Sequence, residues 1–175
     1  DALVAAAGFI NKVPEIVKEY GNEFTVATVG TIKVTPHSVN VIPGTCTFSL
    51  EIRDQSAEVM KLIENHLRRL LEDICKKYGV TSTFVPISYH DPAPMSELVR
   101  GTIEEAVKEL GIDYTVIPSG AFHDSLIMTS VFPTGMIFVP SKDGISHSRY
   151  EYTAPEDIEN GCNVLLNTVL KLDEK

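Results

Sequence analysis

The sequence contains no tryptophan, only three cysteines, and few positive charges. The cysteines are Cys46, Cys75 and Cys162, and because they form no C-x-x-C pair, the sequence indicates neither a zinc knuckle nor a dithiol redox site. No apolar run approaches the ~20 residues that a membrane-spanning helix needs, so no membrane partner is expected. With 15 Lys and Arg against 24 Asp and Glu, a formal net charge of −9, nucleic-acid binding is not expected either.

The remaining composition is that of a globular protein. The 175 residues are 43% hydrophobic and 22% charged. Sparse cysteines of odd number are typical of free thiols in a reducing compartment, and they predict a cytoplasmic protein. The chain begins at Asp1 rather than at a methionine, and a helical pattern starts at once. We therefore expect a piece of a longer protein.

A change in composition divides the chain at residues 90–94, which include two prolines. Residues 1–91 contain nine basic and eleven acidic residues, whereas residues 92–175 contain six basic and thirteen acidic residues. The boundary predicts two domains, residues 1–91 and residues 92–175.

The first domain has the pattern α-β-β-α-β. We expect helices over residues 2–20 and from the cap Ser56 to Gly79, and strands over residues 24–35, 39–53 and 80–89. A ferredoxin-like sheet is β-α-β-β-α-β, so this domain matches that α+β arrangement without its first strand.

The second domain alternates helices with short apolar strands. We expect helices over residues 96–110, 125–131 and 155–172, and strands over residues 114–117 and 136–139. This alternation predicts an α/β layer with parallel strand pairing. Two short strands are few for such a sheet, and both domains look incomplete on their N-terminal side.

Two loops that follow predicted strands carry histidine and carboxylate side chains. His123 and Asp124 lie in the first loop, and His147 lies in the second with Glu151 close behind. Neutral imidazole with carboxylate is a ligand set that Zn, Mn, Co or Ni accepts. The spacing leaves alternatives open: surface histidines, Asp124 as a helix cap, and Glu151 as a surface acid.

Two further polar residues border the predicted strands of the first domain. Arg53 ends a strand and is suited to bind a carboxylate, although an ion pair with Glu51 or Asp54 is the alternative. Asn40 lies beside Pro43-Gly44 and fits a turn residue equally well.

Five stretches together resemble one known family. They are residues 28–34, 39–44 and 48–54, the Ser-Gly-Ala-x-His-Asp loop at 119–124, and Gly-Ile-Ser-His at 144–147 with Glu151. The chain is similar to the amidase/hydantoinase/carbamoylase family of dimetal amidohydrolases, which are related to the aminoacylase-type metallopeptidases. The resemblance covers essentially the whole chain.

The resemblance implies roles for individual residues. Residues 1–91 match most of the family's lid, or dimerisation, domain, and residues 92–175 match the end of its catalytic domain. His147 matches the last ligand of a site for two divalent ions (Zn, Mn, Co or Ni). Asn40 and Arg53 match residues that reach across a dimer interface and bind the substrate's carboxylate. His123 and Asp124 match a segment that lines the active site.

The activity that the resemblance implies is hydrolysis of the C–N bond of an N-carbamoyl-L-amino acid or a related ureido acid such as allantoate. A homodimer formed through the lid is also implied. The family's other metal ligands, its general-base glutamate and a lid histidine lie before the matched region, so we expect this chain to be inactive by itself. Phe122 stands where the family usually has glycine.

Two other functions remain open. A non-catalytic dimerisation or binding module derived from this family would retain the lid sheet but would have no catalytic activity. An aminoacylase or dipeptidase of the related metallopeptidases would act on acyl-amino acids or peptides instead.

Overall fold

The chain divides into two compact units, Asp1–Pro92 and Ala93–Lys175, in a computed structural model that describes residues 1–174. The first unit holds helices α1 (Ala2–Tyr20) and α2 (Ala57–Tyr78) and strands β1 (Val26–Thr28), β2 (Ile32–Thr35), β3 (Thr45–Phe48) and β4 (Glu51–Arg53). The second unit holds helices α3 (Glu97–Glu109), α4 (Asp124–Met128) and α5 (Pro155–Asp173) and a short 3₁₀ turn at Lys142–Gly144. All five predicted helices are confirmed.

Local capping groups explain where the long helices of the first unit begin and end. The Asp1 carboxylate accepts hydrogen bonds from the backbone N–H groups of Leu3 and Val4 at 3.0 and 3.1 Å and so caps α1. Ser56 caps α2 in the same way, through Val59. Gly79 ends α2 with φ +64°, a left-handed conformation that glycine adopts without steric cost.

The four strands form two antiparallel pairs, β1 with β4 and β2 with β3. The two pairs follow each other along one long hairpin, whose loop lies at residues 36–44. Between the pairs, residues 29–31 of the first arm face residues 49–50 of the second, so the first arm holds one extra residue. Ser49 donates its backbone N–H to the Thr31 carbonyl there at 3.2 Å. One extra residue on one arm is the mark of a β-bulge, and this irregularity splits each predicted strand in two.

The core of the first unit lies between the two helices and one face of the hairpin. Phe9 and Val13 of α1 and Ile63 and Leu67 of α2 are at most 2% exposed. The hairpin residues packed against them alternate along the arms, as one face of a strand pair requires: Ala27, Phe48, Leu50 and Ile52.

Removing one methyl group from this core is expected to destabilise the first unit measurably. Ile63 is fully buried, so Ile63→Val should lower the free energy of unfolding by about 1 kcal/mol, because it leaves a small cavity. The matched control is Ile32→Val, since Ile32 is 51% exposed on β2. Chemical denaturation measures the free energy of unfolding of both variants. An equal decrease in the two would show that Ile63 is not a core residue.

The second unit is built on the packing of α3 against α5. Its buried residues lie on the facing sides of these helices: Thr102, Ala106, Val107, Val164 and Thr168. The segment at residues 136–139 passes close to α5, because a Cβ at Gly161 would lie 2.5 Å from the Val139 Cγ1 atom. Glycine at position 161 permits this approach.

Several strand predictions are wrong. Residues 80–89, 114–117 and 136–139 belong to no strand pair within residues 1–174, and residues 39–42 lie in the hairpin loop. The predicted parallel pairing is wrong as well, since each strand pair in the described chain is antiparallel. A strand exists only with a hydrogen-bonded neighbour, and an alternating pattern does not supply one. The architecture is therefore a mixture of helices and small sheets.

No helix in the described part of the chain is long and apolar enough to span a membrane.

Candidate functional site

Arg53 ends β4 on the outer face of the hairpin. It pairs with Val26 of β1, which is 52% exposed, whereas its neighbour Ile52 points to the core. Glu51 lies two residues earlier on the same outer face, and both of its carboxylate oxygens lie 2.9 Å from the Arg53 Nη2 atom. Of the two alternative ion pairs, the one with Glu51 is therefore present. The guanidinium is partly exposed and already binds a carboxylate.

Asn40 lies in the hairpin loop, at the opposite end of the first unit from Arg53. The loop is closed by a hydrogen bond from the Gly44 N–H to the Thr35 carbonyl at 3.0 Å, and within it the Ser38 hydroxyl donates to the Asn40 Oδ1 atom at 2.8 Å. The structure thus shows Asn40 as an exposed loop residue.

Helix α1 gives the distance between these two ends. Its first N–H, on Ala2, donates to the carbonyl of Pro43 in the loop, whereas Asn22, just after its last turn, hydrogen-bonds Asp54 beside Arg53. The helix has 19 residues, which corresponds to roughly 28 Å. One chain therefore does not bring Asn40 and Arg53 to the same small ligand.

His123 and Asp124 begin the short helix α4. His123 occupies the N-cap position without a capping side-chain hydrogen bond, and its ring packs edge-on against Phe138 at 5.9 Å between centroids. Asp124 is the first helical residue and is exposed, so the alternative of Asp124 as the cap is wrong by one residue. Phe122, just before them, is 54% exposed.

His147 is held in an unusual backbone conformation. Its φ is +56°, in the left-handed region that residues other than glycine rarely adopt. Its backbone N–H donates to the Glu151 Oε2 atom at 2.8 Å, so Glu151 stabilises this conformation. The residue is exposed. A backbone strained in this way is a reason to look for a function at His147.

A complete metal site is not formed by residues 1–174, among which no group of three or more His, Cys, Asp or Glu side chains could hold an ion. His147 fits the role of a single ligand for two reasons. Its ring lies in an exposed loop, and its hydrogen bond to Glu151 uses the backbone N–H rather than the ring.

Sequence reasoning missed a polar cluster beside Arg53. Thr25, which is 7% exposed, donates its hydroxyl to Asp54, and Asp54 also accepts from the Ser56 N–H at 2.8 Å. The sequence alone indicates Asp54 only as a possible ion-pair partner of Arg53. The signal that was available is Asp-x-Ser before a helix, a pattern in which the aspartate accepts from the backbone two residues on.

The comparisons with known proteins agree on one family. The model described as peptidase family M20/M25/M40 matches residues 6–171. An N-carbamoyl-L-amino acid amidohydrolase of Geobacillus stearothermophilus is 38% identical over 172 residues, 98% of this chain and 42% of that protein. A ureidoglycolate hydrolase of Oryza sativa subsp. japonica is 35% identical over 173 residues, 98% of this chain and 36% of that protein.

A solved structure supports the same assignment. The hydantoinase/carbamoylase family amidase of Burkholderia vietnamiensis superimposes with a TM-score of 0.91 at 34% identity, covering 98% of this chain and 41% of that one. The chain spans about two fifths of the length of the curated relatives it matches. The resemblance found in the sequence is confirmed, and relatives of this kind hydrolyse C–N bonds. Because the family model covers nearly the whole chain, the chain belongs to peptidase family M20/M25/M40.

Proposed function

We propose that the protein containing this chain is a metal-dependent amidohydrolase that cleaves the C–N bond of an N-carbamoyl-L-amino acid or a related ureido acid such as allantoate. The names of the relatives support this substrate class. Residues 1–91 then act as most of a lid and dimerisation domain, and residues 92–175 as the C-terminal part of the catalytic domain. The three free cysteines agree with a cytoplasmic location.

The observation that carries the proposal is the carboxylate bound by Arg53. N-carbamoyl-amino acids and ureidoglycolate all bear a carboxylate, and guanidinium is the side chain best suited to bind one through paired hydrogen bonds. Arg53 stands on an outward strand face with the Glu51 carboxylate at 2.9 Å. A substrate carboxylate would replace that of Glu51, because a partly exposed ion pair contributes little stability and exchanges readily.

His147 is proposed as a ligand of a divalent ion in the catalytic domain. Such an ion, when bound, activates water and polarises the scissile carbonyl. His147 offers its ring from an exposed loop, and the hydrogen bond between its N–H and Glu151 holds the loop backbone in place. His123 and Asp124 are proposed to line the site. Residues 1–174 contain no cluster of three or more ligating side chains, so this chain by itself is proposed to be inactive.

The separation of Asn40 and Arg53 favours a homodimer. The two residues lie at opposite ends of α1, about 28 Å apart by helix length. If both bind the same carboxylate, Asn40 must come from one protomer and Arg53 from the other. Each dimer would then contain two equivalent composite sites.

A mixed-dimer experiment tests this arrangement. Asn40→Ala and Arg53→Ala variants of the complete protein are prepared separately, and each is expected to be nearly inactive at a substrate concentration near the wild-type KM. Refolded together, half of the chains should pair as mixed dimers, in which one site carries both substitutions and the other carries neither. Ammonia release should then recover to about a quarter of the wild-type rate. No recovery would contradict the composite site.

Removing the Glu51 carboxylate is expected to strengthen substrate binding. The Glu51 carboxylate forms an ion pair with the Arg53 guanidinium at 2.9 Å and would compete with the substrate carboxylate. Glu51→Gln should therefore lower KM for an N-carbamoyl-amino acid by about two- to fivefold. The control Glu72→Gln removes the same charge from an exposed position on α2. An unchanged or higher KM for Glu51→Gln would show that Glu51 does not compete with the substrate.

A further inference from the structure

A threonine–aspartate pair anchors the inner side of the strand end that carries Arg53. The Thr25 hydroxyl donates to the Asp54 Oδ2 atom, and the backbone N–H of Asn22 donates to the Thr25 Oγ1 atom at 2.8 Å. The other Asp54 oxygen accepts from the Ser56 N–H at 2.8 Å and from the Asn22 side-chain amide at 3.4 Å. Asp54 therefore joins the end of α1, the start of β1 and the start of α2.

The register of the hairpin relates this pair directly to Arg53. Val26 is paired with Arg53, so Thr25 and Asp54 stand opposite each other one step further along the same ladder. Because successive side chains point to opposite faces, Asp54 points inward where Arg53 points outward. The hydrogen bonds of Asp54 thus fix the position of the backbone from which the Arg53 guanidinium extends.

The close approach of α1 completes the anchor. A Cβ at Gly21 would lie 2.7 Å from the Thr25 Oγ1 atom and 2.6 Å from the Val17 carbonyl oxygen. Only glycine allows the helix end to close over Thr25, which is 7% exposed. The hydroxyl is therefore shielded from water, and its loss would leave the Asp54 oxygen without that donor.

We propose that Thr25 and Asp54 are positioning residues, which orient Arg53 for the carboxylate of the substrate. This inference rests on the proposed function of Arg53. Arg53 is the last residue of β4, and a strand end is held less firmly than a strand interior. Without the hydrogen bonds of Asp54, the strand end loosens, and the guanidinium loses the fixed direction that paired hydrogen bonding requires.

The test compares Thr25→Val, which removes the hydroxyl at constant shape, with Thr25→Ser, which keeps it. In the complete protein, Thr25→Val should raise KM for an N-carbamoyl-L-amino acid by about three- to tenfold with kcat within about twofold, and Thr25→Ser should restore KM. Thr168→Val is the control, since this buried threonine also donates its hydroxyl, at 2.7 Å to the Val164 carbonyl, but lies in the other unit. It should leave KM unchanged.

The outcomes separate this inference from the proposed function. If Arg53→Ala raises KM and Thr25→Val does not, the positioning role is wrong and the carboxylate role of Arg53 stands. If Arg53→Ala leaves KM unchanged, the proposed function itself fails. Should Thr25→Val not fold, Asp54→Asn replaces it and is expected to raise KM by at least about twofold; an unchanged KM there overturns the inference.

Discussion

Replacement of Arg53 by alanine is expected to raise KM for an N-carbamoyl-L-amino acid by roughly 10²- to 10³-fold in the complete protein. The guanidinium already binds the Glu51 carboxylate at 2.9 Å, and a substrate carboxylate would take the same place. Metal content should stay unchanged, because Arg53 is no ligand. Steady-state kinetics together with elemental analysis measure both quantities.

Two further variants sharpen this prediction. Arg53→Lys keeps the charge but loses the paired geometry, so its KM should lie between those of the wild type and the alanine variant. Arg69→Ala removes an equal charge from an exposed position on α2 and should leave KM unchanged. If Arg53→Ala and Arg69→Ala have the same KM, Arg53 does not bind the substrate carboxylate.

Substitution of His147 is expected to remove bound metal from the complete protein. Both His147→Ala and His147→Gly lack the imidazole, so each should lose about one of the two proposed ions per subunit, with loss of nearly all activity. Glycine adopts the φ of +56° without strain, so His147→Gly keeps the loop conformation that alanine strains. Elemental analysis after dialysis makes the measurement.

The comparison between these two variants isolates the ligand role. If both variants lose the same amount of metal, the loss is caused by the missing imidazole and not by a change in the backbone. His37→Ala removes an exposed histidine of the first unit and should keep the metal. Full metal retention by His147→Gly would contradict the assignment of His147 as a ligand.

Features that depend on neighbouring residues along the chain could be predicted from the sequence. The start of α2 follows from Ser56 and its end from Gly79, and both are capping residues that act within one turn. The sequence predicts helix α1 with the same bounds that it has in the structure, Ala2–Tyr20.

Features that depend on a distant partner could not be predicted in this way. The apolar alternation at residues 80–89 is typical of a strand, but no neighbouring strand pairs with it in the part of the chain that the structure describes. The β-bulge at residues 29–31 appears only when the register of the opposite arm is known.

The same distinction applies to the candidate site. Asn40 and Arg53 are thirteen residues apart in sequence, and only the hairpin shows that a loop and a strand end separate them. The pairing of Thr25 with Asp54 depends on strand register, and the left-handed φ of His147 occurs in a loop whose path no sequence pattern predicts. The residue types were visible in the sequence, but their relation in space was not.

The most direct test of the proposed function compares two substrates that differ only at the carboxylate. The complete protein, supplied with a divalent ion, is assayed for ammonia release from an N-carbamoyl-L-amino acid and from its carboxamide analogue. We predict that kcat/KM is about 10²-fold or more higher for the acid, because only the acid forms the ion pair with Arg53. Equal kcat/KM for the two substrates, or no ammonia from any ureido acid, would contradict the proposed function.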